Sequence, residues 1–150
     1  MADVVDKATR SRMMSGIKGG HTRPELVVRR ALHAAGFRYR LHAADLPGRP
    51  DIVLPKHRVV VLVHGCFWHR HAGCRFATTP ATRRDFWSDK FERNMDRDAR
   101  NRQALRAKGW RIATLWECSV RRFDQARIDG LIAWIRSGEP DYEDPATPSS

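Results

Sequence analysis

The 150-residue sequence predicts an α/β fold in which a central mixed sheet is flanked by helices. Three observations predict it. Arg58–Val63 is a β-branched run without polar alternation, the pattern of a strand buried on both faces. Helical spacing recurs on either side of it, from Thr22 and again from Thr82. A second apolar strand pattern, Trp110–Trp116, follows the longer helix, so the chain alternates strands with helices.

The elements follow in order. Residues 1–22 are basic, contain Gly19 and Gly20, and are poor in large apolar side chains, as in a surface arm. Thr22-Arg-Pro-Glu25 has the form of a capping box, with Leu26, Val28, Leu32 and Ala35 behind it and Gly36 as the stop. Phe37–Leu41 alternates with period two, Leu46-Pro-Gly-Arg-Pro50 is a turn cluster, and Asp51–Leu54 is a short strand ended by Pro55. After the strand 58–63, a helix is expected over residues 82–107, with Trp87, Phe91, Met95, Asp98, Arg102 and Leu105 at spacings of three and four. Asp98 thereby falls on the apolar face, where an acid needs a partner or a task. A helix over 124–136 follows, stopped by Gly138. Residues 23–138 make one domain, and the acidic tail with three prolines and two terminal serines, 139–150, is expected to be disordered.

Charge narrows the function. The chain carries 28 Lys+Arg against 17 Asp+Glu, a formal +11. The tail holds four acids and no base, which leaves the preceding 138 residues at +15. A polyanion is the natural partner of so basic a domain. No apolar run reaches the length of a membrane span, the N-terminus lacks a secretion signal, and three cysteines cannot all pair internally. A cytoplasmic protein is expected.

The chemistry is concentrated in His64-Gly-Cys-Phe-Trp-His-Arg-His-Ala-Gly-Cys74. Cys66, His71, Cys74 and, after the last strand, Cys118 supply four donors for a tetrahedral structural Zn²⁺. Spacing alone lets His69 replace His71 in that set. Asp51 at the start of one strand and His64 at the end of the next should share a sheet edge, where a carboxylate can hold Mg²⁺ and a histidine can move a proton. Taken alone, Asp51 reads more readily as a turn residue than as a metal ligand, and Glu25 is accounted for by its capping box. Phe67, Trp68 and Trp87 could wedge between stacked bases or pack around the metal; Met14 in the arm invites the same reading.

Taken together, Asp6–Ser15, Pro24-Glu25, Leu46–Asp51, His64–His69, Pro80–Arg83, Phe86-Trp87, Asn94, Arg97-Asp98 and Trp116-Glu-Cys118 resemble the very-short-patch repair (Vsr) DNA mismatch endonucleases over nearly the whole folded chain. The resemblance implies a restriction-endonuclease-like fold with a structural zinc site. It implies a bacterial, nucleoid-associated monomer that nicks double-stranded DNA 5′ of the thymine in a T·G mismatch, with a mismatch-repair matchmaker protein left open as a second partner. By the same resemblance Asp51 and the backbone carbonyl of Val63 ligate Mg²⁺. His69 is the general base, His64 supports the phosphate, and Glu25 and Asp98 complete the acidic shell. Phe67, Trp68 and Trp87 intercalate while the arm crosses the minor groove. Val63 stands where that family often has threonine, a change that leaves a carbonyl ligand intact. The strand carries no Glu-x-Lys pair of the broader restriction fold; a histidine ends it instead, as in the Vsr branch.

Overall fold

The computed structural model describes residues 22–145. The basic arm, Met14 included, and the last five residues lie outside the described residues. The element order is α1 (Arg23–Ala34), β1 (Arg40–Leu41), β2 (Ile52–Leu54), a 3-10 turn (Pro55–His57), β3 (Val59–His64), α2 (Arg84–Ala107), β4 (Arg111–Trp116), α3 (Glu117–Val120), α4 (Gln125–Ser137) and β5 (Asp141–Asp144). The strands form one sheet in chain order. β1–β2 and β2–β3 are antiparallel, whereas β3–β4 and β4–β5 are parallel. The expected mixed sheet flanked by helices is thus present.

Period-two alternation divides the core between the two faces of the sheet. Ile52, Leu54, Val59, Val61, Ala113 and Leu115 pack with Val28 and Leu32 of α1 and Leu131, Trp134 and Ile135 of α4. Their neighbours Val53, Val60 and Ile112 turn the other way, onto Leu105 of α2 and Ala43. The run 58–63 is continuous in hydrophobicity because helices cover both sides of β3.

Local chemistry sets the ends. Thr22 Oγ1 accepts the Glu25 N–H at 3.4 Å, and Asp124 Oδ1 accepts the Arg127 N–H at 3.0 Å, so both helices start on side-chain caps. Gly138 ends α4 in the left-handed region (φ 88°). Gly48, in the Leu46–Pro50 turn, lies against Asn101 of α2, where a Cβ would approach the Asn101 side chain to 2.8 Å. That close approach seats the turn before Asp51 on the long helix.

Three expectations are corrected. Only Arg40 and Leu41 of the segment 37–41 pair in the sheet, while Phe37 turns into the core. Met95 is half exposed, because Phe91, Asn94, Asp98 and Leu105 form the inward line of α2. The tail is not disordered throughout, since residues 141–144 add a parallel edge strand to β4. Its acids explain why: Asp141 pairs with Arg106 at 2.8 Å, Asp144 with Arg127, and Glu143 accepts the Trp116 indole N–H at 2.7 Å. Three of the four acids of a tail that reads as solvated instead find donors on the body.

Candidate active site and metal centre

β2 runs antiparallel to β3, so the residue that opens β2 lies beside the end of β3. Asp51 and the Val63–His64 end of β3 meet there, and the Val63 N–H donates to Asp51 Oδ2 at 2.8 Å. Burial pushes the Asp51 carboxyl up to about 6, and the neighbouring Glu25 carboxylate adds to the rise; the Val63 N–H and the His42 and His69 rings oppose it. A carboxylate held at such cost is one that a cation would relieve.

The Glu25 side chain is buried. Its carboxylate bonds His42 Nε2 at 2.9 Å and Arg29 at 3.1 Å. Thr22 caps the helix, and Glu25 points toward Asp51. Glu25, His42 and Asp51 bring their donor atoms close enough to hold a metal ion together. His42 escapes sequence reasoning because it sits just past β1, and only the convergence of α1, β1 and β2 gives it neighbours.

The second group is His64, His69 and Asp98. His69 Nδ1 and Asp98 Oδ2 are 2.6 Å apart, joining the loop after β3 to the inward face of α2. The His64 and His69 rings stack at 3.8 Å and 5°. Burial holds the His64 imidazole well below its ordinary range, and the charges of His69 and Arg102 press the same way. His64 is accordingly neutral at physiological pH. Its Nδ1 is buried and makes no hydrogen bond within the described residues.

Cys66, His71, Cys74 and Cys118 form the third group. Backbone bonds curl the loop so that alternate histidines diverge: His69 N–H donates to Gly65, His71 N–H to Cys66, and Cys74 N–H to His71. His71, not His69, thereby joins the cysteines, with Nδ1 at 3.6 Å from Cys66 Sγ and 3.5 Å from Cys118 Sγ. Bonds of about 2.3 Å to sulfur and about 2.0 Å to nitrogen at a tetrahedral ion require a sulfur–nitrogen separation of roughly 3.5 Å. The donor set fits a thiolate-seeking cation. Burial pushes the Cys66 thiol up to about 12, so proton release there needs the compensating charge of an ion.

The aromatics pack around this loop. Phe67 meets Trp68, Trp87 and Phe91 edge-on at 5.1, 5.8 and 5.1 Å, and Trp68 lies 6.0 Å from Trp87. Phe91 is buried; Phe67, Trp68 and Trp87 remain half exposed. Arg70, which the motif reading passed over, closes the loop by donating to the carbonyls of Phe67, Ala77 and Thr78 and to Thr79 Oγ1. Its guanidinium also lies 4.0 Å over the Phe91 ring. Its signal was available only as one more arginine in a basic chain.

The arrangement has counterparts among known proteins. Residues 2–75 match the family model of the DNA mismatch endonuclease Vsr. The type II nicking enzyme V.XorIIP of Xanthomonas oryzae is 49% identical over 120 residues, covering 80% of this chain and 88% of that protein. The DNA mismatch endonuclease Vsr of Escherichia coli is 42% identical over 139 residues, covering 90% of this chain and 88% of that one. The type II nicking enzyme V.NmeAIP of Neisseria meningitidis is 39% identical, covering 91% and 98%. At such identity over most of both lengths, with the α/β sheet and the site described above, this chain belongs to the Vsr DNA mismatch endonuclease family.

Proposed function

We propose that the protein is a Mg²⁺-dependent DNA endonuclease that nicks one strand 5′ of the thymine in a T·G mismatch. Such mismatches arise when 5-methylcytosine deaminates, and the nick would start very-short-patch repair. The observation that carries the reading is the meeting of a half-buried carboxylate, Asp51, with the stacked His64 and His69 and the His69 partner Asp98 at one sheet edge. The names of the relatives, a mismatch endonuclease and nicking enzymes, support the same chemistry.

Asp51 and the Val63 carbonyl would hold Mg²⁺, with Glu25 adding negative charge nearby. Bound there, Mg²⁺ supplies charge neutralisation at the scissile phosphate and its leaving oxygen. Asp98 accepts the Nδ1–H of His69, which fixes the tautomer and leaves Nε2 as the basic nitrogen. His69 would take the proton of the attacking water as the bond from phosphorus to the 3′ oxygen breaks, and the departing 3′ oxygen would take a proton from solvent water, leaving a 3′ hydroxyl and a 5′ phosphate. His64, kept neutral by burial, offers a hydrogen bond without adding a competing cation. Cys66, His71, Cys74 and Cys118 would hold a structural Zn²⁺ and so fix the loop that carries His69.

Selectivity falls to the half-exposed aromatics. Phe67, Trp68 and Trp87 would enter the stack beside the mismatch from the major groove, and the N-terminal arm with Met14, outside the described residues, would cross the minor groove. Unstacking a step costs a few kcal/mol, least at a mismatch, so the weakness of the T·G pair selects the site.

The test is nicking of T·G and matched duplexes by the zinc-loaded protein with Mg²⁺, across cytosine-methylation contexts. The expected product is a single nick 5′ of the mismatched thymine. Equal cleavage of matched duplex would instead make it a nuclease without mismatch selection. Tight binding of T·G duplex with no nick in any context would leave a zinc DNA-binding module.

A further inference from the structure

The tail strand enters the site through one side chain. In the β4–β5 register Glu143 lies opposite Thr114, and Trp116 follows two residues later on the same face of β4. Glu143 Oε2 therefore reaches along the sheet to accept the Trp116 indole N–H at 2.7 Å. The indole is 6% exposed. It lies flat on the His71 ring, at 4.2 Å and 9°, and meets the His64 ring edge-on at 5.3 Å and 75°. His64 in turn stacks on His69, which bonds Asp98. A single indole thus touches a member of the Cys/His group on one side and the first ring of the histidine stack on the other.

Ring contacts alone resist separation but permit sliding and in-plane rotation. A directional hydrogen bond removes that freedom, and a carboxylate acceptor makes it a strong one. Glu143 is itself well anchored. Asp141 is tied to Arg106 of α2 at 2.8 Å, and Asp144 is tied to Arg127 of α4, which also bonds Ser119 in the helix directly after Trp116. The acceptor is held from both ends of its strand.

We propose that Glu143 is a positioning residue for strand nicking, acting through Trp116 to keep His64 and His71 in their stacked geometry. Residues 141–144 then belong to the catalytic domain. The inference rests on the reading of His64 and His69 as the reacting pair, and the experiment below separates the two.

The zinc-loaded full chain is compared with Glu143→Ala, Glu143→Gln, Trp116→Phe and the Trp116→Phe/Glu143→Ala double variant. Two readouts are taken: the single-turnover nicking rate on T·G duplex with saturating enzyme and Mg²⁺, and the ring-proton NMR shifts of His64 and His71 in the free protein. Those shifts report the stacked contact of His71 and the edge-on contact of His64 with the indole, and need no activity. Glu143→Ala should slow nicking by about tenfold, the scale of a sub-ångström misplacement, with DNA affinity within about twofold. It should also shift both histidine signals. Glu143→Gln keeps an acceptor, so it should retain most of the rate and the wild-type shifts. Trp116→Phe keeps a ring but loses the N–H, and should match Glu143→Ala. The double variant should be no worse than either single one. A Glu143→Ala enzyme with wild-type rate and unmoved histidine signals would overturn the proposal, as would losses that multiply in the double variant. If Glu143→Ala does not fold, Glu143→Gln and Trp116→Phe still decide it, because equal behaviour of those two removes the hydrogen bond from the argument. If the wild-type protein does not nick, the proposed function fails, and the histidine shifts still judge the Glu143–Trp116 coupling.

Discussion

His69 Nδ1 lies 2.6 Å from Asp98 Oδ2, across 29 residues of sequence and between a metal-loop turn and the long helix α2. The bond sets the tautomer of His69, so its loss should act on chemistry and not on DNA attachment. Asp98→Asn keeps the shape but offers an amide that can present N–H to Nδ1 and favour the wrong tautomer. Single-turnover nicking should fall by roughly 10²–10⁴-fold, with the Kd for T·G duplex unchanged. A loss confined to affinity would show that Asp98 serves binding instead.

Asp51 strains the fold it serves. Its folded-state pKa of about 6 lies above the ordinary 3.8. Folding therefore takes up a proton between these values, and stability present below 3.8 is lost as the pH rises through about 6. In Mg²⁺-free buffer at pH 7.5, Asp51→Asn should stabilise the protein, by up to about 3 kcal/mol from the size of the shift. The gain should shrink at pH 4.5, where the wild-type carboxyl is already protonated. Urea melts at the two pH values measure it, and a destabilised Asp51→Asn protein would contradict the burial argument.

His71 and His69 sit two residues apart and should fail in opposite ways. His71→Ala removes a donor from the cysteine group, so bound zinc should drop from one per chain toward zero and the Tm should fall. His69→Ala should keep its zinc and its Tm and lose nicking. Metal analysis with thermal melts distinguishes them; loss of zinc in both variants would mean that the loop cannot tolerate either change.

What the sequence makes legible, and what it hides, follows from the range of the interactions. The strand 58–63 and the helices with Thr22 and Asp124 caps are local patterns, and they appear where the pattern puts them. Asp51 and His64 share an edge because antiparallel neighbours force it. The choice between His69 and His71 is invisible to spacing, since it is made by backbone bonds within the loop and by the arrival of Cys118 from β4. His42 and Glu143 are hidden for the same reason. One depends on Glu25 from α1, and the other on the indole of Trp116. The strand Asp141–Asp144 carries little β propensity of its own, and its placement comes from Arg106, Arg127 and Trp116. Met95 shows the opposite failure: spacing placed it inward, while the neighbouring Asn94 turns in and bonds the Trp68 carbonyl at 3.4 Å.

Trp68 joins the aromatic group to the DNA reading, and its removal should separate mismatch selection from general attachment. The ring is half exposed, contacts Phe67 at 5.1 Å and lies under the Lys90 ammonium at 5.4 Å. General attachment comes from the basic surface, where each phosphate contact contributes about −0.9 to the log–log salt slope. Trp68→Ala removes no cation, so the salt slope on matched duplex should stay as it is. Stacking of a base on an aromatic ring contributes about 1–3 kcal/mol, so affinity for T·G duplex should fall by roughly 5–150-fold. Preference for T·G over matched DNA should collapse accordingly. Titrations of both duplexes at several salt concentrations measure the two effects together. An unchanged preference with a shallower salt slope would assign Trp68 to phosphate contact through Lys90 and remove it from the wedge.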